Sequence, residues 1–416
     1  MSNTNSKKRK KERVLPPLWA VLIFCFCSKI FMFFKGVRYN RKGLKKHKKS
    51  FILIFNHYSN RDHYMIEAGL NYRRVSFVIA SYFFFSKKLA KAVNIYRGIK
   101  KNQFKPDISA IRKIRKVIDQ KGIIAIAPAG QVSVNGREGY VSPAIVKLLR
   151  MCNVDVIVQR SHGASLHWPK WRRSERKCLV NVEYEKVLDK DELANLSDDE
   201  IYKKVCDAIN VDDYREQMSL MKPIKGKNLS AGLENLLIRC PKCGAKYSFS
   251  SHDDMIECET CHEKFKMNKY GFFEGESLDS NFSNPANWYD WQRTVIKKEF
   301  LSNPNYLLKT NVNLYSNMQK EEELELVGCG DVAITHDKVW YEGTINGENV
   351  YKEFNYNMLV QLPYGVGTHF EIPTQDYTYK FVPTNNLKVV MEWVQLIDII
   401  REIRENDEHS KSNTEE

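Results

Sequence analysis

The sequence predicts an α/β domain that follows an apolar N-terminal segment and precedes two smaller units, a cysteine-containing module and a β-rich domain with a final helix. Three observations predict this organisation. Residues 14–36 are apolar and aromatic, residues 50–225 alternate short apolar runs with helical periods, and two C-x-x-C pairs precede a series of short strands. A chain of 416 residues, 43% of them hydrophobic, can build several packed domains.

The net charge of +15 is concentrated near the N-terminus. Residues 1–50 hold fifteen of the 65 Lys and Arg residues and one of the 50 acids, so the rest of the chain has 50 basic and 49 acidic side chains. A body without excess charge argues against a nucleic-acid partner. The same distribution favours a basic arm with an anionic partner.

Residues 1–49 are predicted to be this basic arm together with a membrane-inserting apolar segment. The longest uncharged run, residues 14–28, contains Pro16 and Pro17 and is shorter than the roughly 20 apolar residues that a membrane span needs. Basic clusters flank both ends, which disfavours a clean crossing. We therefore expect peripheral or monotopic attachment to anionic lipid headgroups at the cytoplasmic face of the cell membrane. A single crossing and a buried helix of a soluble protein are the alternatives.

Residues 50–225 are predicted to form one layered α/β domain with a largely parallel sheet. The predicted strands are 51–55, 75–79, 123–127, 154–158 and 179–184. Two helices have clear N-cap signals, one after Asp107 and one over residues 197–209. Strands alternating with helices in this way are typical of domains that bind ligands at one edge of the sheet.

The stretch FILIFNHYSNRDHYM, residues 51–65, leads a buried strand directly to His57, and Asp62 follows five positions later. A histidine can accept a proton near neutral pH, and a carboxylate on its other ring nitrogen fixes the tautomer and stabilises the imidazolium. We therefore predict that His57 is a general base that Asp62 orients. A chance meeting of the two side chains in a loop is the alternative.

Later stretches strengthen this interpretation, because VNIYRG (93–98), a capped helix and GIIAIAPAGQVSVNG (122–136) follow NHYSNRD in order. Together they resemble the glycerolipid acyltransferase family, which includes the 1-acyl-glycerol-3-phosphate acyltransferases. The resemblance covers roughly residues 15–215. It implies transfer of a fatty acyl group from an acyl thioester, carried by coenzyme A or acyl carrier protein, to a lysophospholipid hydroxyl. The first choice of acceptor is 1-acyl-sn-glycerol-3-phosphate, and another lipid or a glycolipid is the alternative.

The resemblance also implies which residues bind substrate. These are Asn56, Arg97, Pro128, Gly130 and Ser133. Arg97 would bind the acceptor phosphate, as a planar fork of donors can. The third block departs from the family, because Ala129, Gln131 and Val132 replace its glutamate, threonine and arginine. The departure puts the acceptor in doubt more than the chemistry, and the nearby Arg137 is a candidate substitute.

The stretch CPKCGAKYSFSSHDDMIECETCHEKF contains two C-x-x-C pairs separated by fourteen residues. This spacing predicts a tetrahedral zinc site made by Cys240, Cys243, Cys258 and Cys261 in a zinc ribbon over residues 236–272. Four sulfur ligands leave no open position for a substrate, so the zinc would be structural. We expect the ribbon to be a rigid joint between domains.

Residues 300–404 predict short strands and a closing helix over 387–404. The stretch GCGDVAITHDKVWYEGT (328–344) resembles the pleckstrin-homology/GRAM superfold, whose members bind lipid headgroups or peptides. The polar stretch 275–287 is predicted to be a linker, and residues 405–416 are predicted to be disordered.

Two functions from different classes remain open. The intact pair of His57 and Asp62 favours a membrane-associated acyltransferase. The altered third block favours a non-catalytic membrane adaptor built on a decayed acyltransferase domain.

Overall fold

The computed structural model describes residues 12–45, 47, 49–102, 107–275, 279–319 and 323–412. The N-terminal sheet has seven strands in the order β1-β7-β6-β2-β5-β3-β4. They are β1 (Val37–Asn40), β2 (Ile52–Phe55), β3 (Val75–Ala80), β4 (Ile99–Lys101), β5 (Ile123–Ile126), β6 (Val156–His162) and β7 (Val180–Leu188). All five predicted strands are present, whereas the short, polar β1 and β4 escape a pattern built on apolar runs.

The sheet is largely parallel, as predicted, with one antiparallel pair of strands. Strand β2 runs parallel to β5 and β6, and β3 runs parallel to β5 and β4. Strand β7 turns back to pair antiparallel with β6 and parallel with β1. The carboxyl ends of β2, β3, β4, β5 and β6 therefore lie at one edge, which we call the carboxyl edge.

Nine helices accompany this sheet in the part of the chain that the structure describes. They are α1 (Leu18–Lys35), α2 (Asp62–Leu70), α3 (Lys87–Ile95), α4 (Ile108–Asp119), α5 (Ala144–Cys152), α6 (Ala164–His167), α7 (Lys190–Asn195), α8 (Asp198–Ile209) and α9 (Asp213–Leu220). The two predicted N-caps are confirmed, because the Asp107 side chain accepts from the Ala110 amide and Ser197 forms a capping box with Glu200.

The strands bury alternate side chains in two cores, as the period of two requires. Leu53 and Phe55 pack on the side of α1 and α2, and Ile52 and Ile54 pack on the side of α4, α5 and α8. Strand β2 is fully buried between these layers, so the residue after Phe55 emerges where the chain leaves the sheet.

A four-stranded antiparallel sheet follows in the order β11-β10-β9-β8 and carries the C-x-x-C pairs. Its strands are β8 (Phe249–His252), β9 (Met255–Cys258), β10 (Lys264–Met267) and β11 (Phe273–Glu274). The helix α10 (Pro285–Ser302) begins inside the stretch predicted to be a linker. Asn284 caps it and Pro285 occupies its first turn, a start signal that the polar composition hid.

The C-terminal unit is a seven-stranded antiparallel sheet in the order β15-β14-β13-β12-β18-β17-β16, closed by a long helix. Its elements are β12 (Leu308–Ser316), β13 (Glu325–Ile334), β14 (Val339–Ile345), β15 (Glu348–Phe354), β16 (Tyr364–Gly365), β17 (His369–Pro373), β18 (Thr378–Pro383) and α11 (Val389–Ser412). Buried Trp393 of α11 stacks on Phe370 and donates to the Thr310 hydroxyl, which anchors the helix to the sheet.

The structure describes only part of the two terminal segments for which the sequence made predictions. The helix α11 continues to Ser412, well into the stretch predicted to be disordered, and residues 413–416 lie outside the described residues. The first basic cluster of the arm, residues 7–11, also lies outside them.

Candidate active site

The first candidate residue, Asn56, fixes the end of β2. Its side-chain amide donates to the Ser161 carbonyl at 3.2 Å, and its side-chain oxygen accepts from the Ser161 amide at 2.8 Å. Asn56 is fully buried, so these bonds replace the solvent that its amide would otherwise require. Asn56 therefore ties β2 to β6 and holds the loop that follows.

The side chains of His57 and Asp62 meet at the carboxyl edge. The Nδ1 atom of His57 lies 2.7 Å from Oδ2 of Asp62, and the same oxygen accepts from the Ser59 amide at 3.1 Å. The Asp62 side chain is 2% exposed and the His57 side chain 26% exposed. A buried carboxylate behind a solvent-facing imidazole leaves Nε2 as the nitrogen that can take a proton from a substrate.

The electrostatics of Asp62 reflect two opposing causes. Burial raises its pKa above the ordinary value, and the hydrogen bond from His57 and the backbone bonds of the loop oppose that increase. Because the ionised carboxylate is buried, water screens its attraction for a positive charge on the imidazole less than it would for an exposed carboxylate.

Pro128, Gly130 and Ser133 lie in the loop after β5, at the same edge as His57. The Ser133 amide donates to the His57 carbonyl at 2.7 Å, and the Ser133 hydroxyl donates to the Arg137 carbonyl. Gly130 has a φ of 70°, which a residue with a side chain adopts rarely. The structure thus brings these three residues into the loop that rests against the dyad of His57 and Asp62.

Arg97 lies at the opposite edge of the sheet. It precedes β4 rather than following it, and the amino ends of parallel strands lie away from His57. Its guanidinium donates to the Leu15 carbonyl at 2.9 Å, beside Arg74, which donates to the Pro16 carbonyl at 2.8 Å. A cleft of about 460 Å³ at this edge is lined in part by Leu15, Arg74 and Lys121. The structure therefore does not bring Arg97 to the dyad.

Arg137, the candidate substitute for the missing third-block arginine, is also engaged elsewhere. Its Nε donates to Asp212 at 2.8 Å, and its other nitrogens bind Asp290 and Asn287 of α10. Two carboxylates neutralise this cation, so Arg137 links the third-block loop to the C-terminal half of the chain.

The C-terminal unit covers the third-block loop. The side-chain amide of Gln131 donates to the Leu362 carbonyl at 2.8 Å and accepts from Lys170 at 3.2 Å. The Lys170 ammonium also lies 3.4 Å from the centre of the Tyr364 ring. This interface encloses the Lys170 ammonium, and its burial there lowers the pKa of Lys170 to about 7.

Glu138 is a buried acidic residue whose charge interacts with that of Asp62, and the sequence analysis did not identify it. Its Oε2 atom is buried without a hydrogen-bond partner among the described residues. Burial raises the pKa of Glu138 to about 8, and the charge of nearby Asp62 adds to the increase. The only available sequence signal was its position just after the third block, which does not reveal that the chain folds it toward the dyad.

The four cysteines of the C-x-x-C pairs converge as predicted. Their sulfur atoms all lie within 4.8 Å of one another, with Cys240 and Cys261 at 3.8 Å and Cys243 and Cys258 at 3.7 Å. Among the described residues, these four cysteines could hold a metal ion. Exposed His262 lies near Glu257 and is outside this group.

The helix α1 is long and apolar enough, by length and composition, to cross a membrane. It nevertheless packs against α2 through a face that buries Ala20, Val21, Cys25, Ser28 and Met32. The opposite face exposes large apolar side chains: Leu18, Trp19, Leu22, Ile23, Phe26, Ile30, Phe33 and Phe34. Such a face is weak evidence of membrane association.

The fold and the site together define an α/β protein with a histidine–aspartate pair at the carboxyl edge of its sheet. No family model and no curated protein matches the chain. Among solved structures it is similar to the 1-acyl-sn-glycerophosphate (LPA) acyltransferase PlsC from Thermotoga maritima, with 15% identity and a TM-score of 0.37. The match covers 46% of this chain and 77% of that one. A likeness this distant carries no argument about function.

Proposed function

We propose that this protein is a membrane-associated O-acyltransferase that moves a fatty acyl group from an acyl thioester to the hydroxyl of a lysophospholipid. The observation that carries the proposal is the pairing of His57 with buried Asp62 at the carboxyl edge. The resemblance of the NHYSNRD and GIIAIAPAGQVSVNG stretches to glycerolipid acyltransferases supports it independently.

In the proposed reaction, Nε2 of His57 takes the proton of the acceptor hydroxyl as that oxygen attacks the thioester carbonyl. Asp62 holds the ring through Nδ1 and stabilises the imidazolium. Collapse of the tetrahedral intermediate breaks the carbon–sulfur bond, and His57 returns the proton to the leaving thiolate. The donor is acyl-coenzyme A or acyl carrier protein, and no acyl-enzyme forms.

The first acceptor to test is 1-acyl-sn-glycerol-3-phosphate. The sequence suggested Arg97 or Arg137 for the acceptor phosphate, but Arg97 lies at the opposite edge from His57 and Arg137 is paired with Asp212 and Asp290, which favours another cation for this role. Lys101 ends β4 at the carboxyl edge, where its ammonium donates to the Asn102 carbonyl at 2.6 Å and the strands β5 and β3 separate it from β2. It is therefore a second cation to test for the acceptor phosphate.

We propose structural zinc as the metal of the cysteine cluster. A tetrahedral ion with Zn–S bonds of about 2.3 Å places its ligands about 3.8 Å apart, close to the separations of the two cysteine pairs at 3.7 and 3.8 Å. We propose monotopic attachment at the cytoplasmic face for α1, because one face of the helix packs on α2 while the other exposes aromatic and aliphatic side chains.

The non-catalytic adaptor remains the second candidate, and one observation favours it. The third-block loop, which contributes to acceptor binding in the family, lies under the C-terminal unit through Gln131 and Arg137. An adaptor would have no use for a solvent-facing proton acceptor, whereas an acyltransferase requires one.

The test is an acyl-transfer assay with purified full-length protein, acyl-coenzyme A or acyl carrier protein, and a panel of lysophospholipids in mixed vesicles. Product formation that the His57→Ala variant loses supports the enzyme. A well-folded wild-type protein that binds the same vesicles but transfers no acyl group to any acceptor supports the adaptor.

A further inference from the structure

Arg61 lies inside the loop that separates His57 from Asp62. It is the residue that precedes α2, and its carbonyl accepts from the amides of Tyr64 and Met65 in the first turn. Asp62 is the first residue of that helix. Arg61 therefore lies at the start of α2, immediately before the residue whose carboxylate binds His57.

The Arg61 side chain is held from several sides. Its Nε lies 2.7 Å and its Nη2 2.5 Å from Oε1 of Glu175. Its guanidinium lies over the rings of Phe31, Tyr64 and Trp168, at 5.1, 5.2 and 4.7 Å from their centres. A fork of donors on one carboxylate oxygen, enclosed by three aromatic faces, fixes a side chain more firmly than a surface ion pair does.

The same carboxylate reaches the apolar N-terminal helix. Oε2 of Glu175 lies 2.5 Å from the ammonium of Lys35, the last residue of α1, and Phe31 belongs to that helix as well. Burial favours the neutral form of Glu175, but the bonds from Lys35 and Arg61 outweigh it and lower the pKa below the ordinary value. Glu175 is therefore an ionised bridge between α1 and the loop of the dyad.

We propose that Arg61 is a positioning residue that couples the seating of α1 to the geometry of His57 and Asp62. The inference rests on the proposed acyl transfer for its kinetic consequence, but the structural link exists without it. When α1 is seated on the domain, Glu175 and Phe31 hold Arg61, and Arg61 fixes the first turn of α2. Contact of α1 with a lipid surface then stabilises the arrangement in which the dyad can act.

The first experiment measures hydrogen exchange at the amides of residues 62–65 in the full-length protein, with and without vesicles of phosphatidylcholine and phosphatidylglycerol. Arg61→Gln and Glu175→Gln should each accelerate exchange at these amides about tenfold or more, because the first turn of α2 opens more easily. Vesicles should slow this exchange in the wild-type protein and have a smaller effect in both variants. Circular dichroism checks that each variant is folded.

A matched control is Arg150→Gln. Arg150 donates to Asp198 at 2.8 Å and to two backbone carbonyls, has a similar exposure, and belongs to α5 in the other core. Its loss removes a comparable ion pair without contact with the dyad. Exchange at residues 62–65 that is the same in Arg61→Gln as in Arg150→Gln would overturn the proposal.

The second experiment separates positioning from general destabilisation by kinetics. Arg61→Gln should lower kcat by about 10- to 100-fold, since small misplacements of a catalytic group have effects of this size, and should change KM less than threefold. Arg61→Lys, which keeps the charge but loses the fork, should recover only part of kcat. A drop in kcat no larger than that of Arg150→Gln contradicts the coupling, whereas a wild-type protein without acyl transfer contradicts the proposed function and leaves the exchange result to decide the coupling.

Discussion

Two loops leave the carboxyl edge of the N-terminal sheet and differ in what their side chains contact. The loop after β2 presents His57 to solvent above a buried Asp62, and it retains every residue that the proposed proton transfer needs. The loop after β5 lacks the charged residues of the family that the sequence resembles, and Gln131 and Arg137 bind the C-terminal half of the chain. Under the proposed function, this difference separates the residues of the proton transfer from those that would recognise the acceptor.

Substitution of His57 is the largest expected effect, and it tests whether the first loop is a catalytic loop at all. His57→Ala should reduce kcat by about 10²–10⁴-fold, the usual contribution of a positioned proton acceptor. The His57 side chain is partly exposed, so the folded state should persist. Steady-state kinetics with circular dichroism as the control measure this, and full activity in a folded variant would leave the adaptor.

Substitution in the four-cysteine cluster tests how firmly the C-terminal half of the chain is held against the loop after β5. Cys240→Ser removes one ligand, so we expect loss of about one equivalent of bound zinc and a clear drop in thermal stability, because such sites contribute folding free energy directly. The ribbon contacts α11 through Lys246 and Glu392, so the C-terminal unit should loosen first. Elemental analysis and calorimetry measure both effects, and a wild-type protein without bound metal would refute the zinc site.

The structure shows where sequence reasoning succeeds and where it stops. The encounter of His57 with Asp62 was predictable, because a five-residue spacing across a strand-to-helix turn is a local matter. The location of Arg97 was not, because β4 is three residues long and polar, and the sequence does not show that the arginine precedes a strand. Glu175 contacts Lys35 and Arg61 from a segment distant in sequence, which no local pattern encodes.

The same limit applies to the fold. Apolar runs identified the five buried strands, since full burial on both faces leaves an unambiguous signature. The helix α10 was missed because its outward residues are polar and its start lies in a stretch that is typical of linkers. Burial of Trp288 and Gln292 against the ribbon and α11, not local composition, stabilises that helix.

Glu67 lies in α2, the helix that begins at Asp62, and its burial makes the stability of the protein depend on pH. Burial raises its pKa to about 8, opposed by the Tyr96 hydroxyl. A raised carboxyl pKa contributes stability that is complete below the unfolded value and is lost as the pH rises toward the folded one. The wild-type protein should therefore lose stability between about pH 4.5 and 8.

The matched variant is Glu67→Gln, which stays neutral at every pH. Its free energy of unfolding relative to the wild-type protein should rise across this interval, by on the order of 1–4 kcal/mol. Urea unfolding at several pH values measures the difference. A difference that does not change with pH would show that Glu67 ionises normally in the folded protein.

Gln131→Ala directly tests the contact between the loop after β5 and the C-terminal unit, and we expect a smaller effect on stability. The substitution removes the donor to the Leu362 carbonyl and the acceptor for Lys170, so stability should fall by about 0.5–1.5 kcal/mol. If the loop serves only to join the two halves of the chain, kcat should stay within twofold of the wild-type value. A loss comparable to that of His57→Ala would place the second loop in the chemistry.

Arg97→Ala has the smallest expected effect. It tests whether the acceptor binds at the amino edge of the sheet, where Arg97 lies, or at the carboxyl edge, where His57 lies. Arg97 donates to the Leu15 carbonyl at the amino end of β4, and Arg74 donates to the same carbonyl at 3.4 Å, so one donor remains after the substitution. Stability should fall by at most about 1 kcal/mol, and KM for a phosphate-bearing acceptor should change less than twofold.

Lys101→Ala, at the carboxyl end of the same strand, is the matched variant. It should raise that KM more if the acceptor phosphate binds along the edge of the sheet that holds His57. Parallel measurements with a phosphate-free lipid acceptor separate loss of a phosphate contact from general damage to the protein. A selective increase in KM for the phosphate-bearing acceptor in Arg97→Ala, and not in Lys101→Ala, would show that the acceptor extends around the sheet to the edge opposite the dyad.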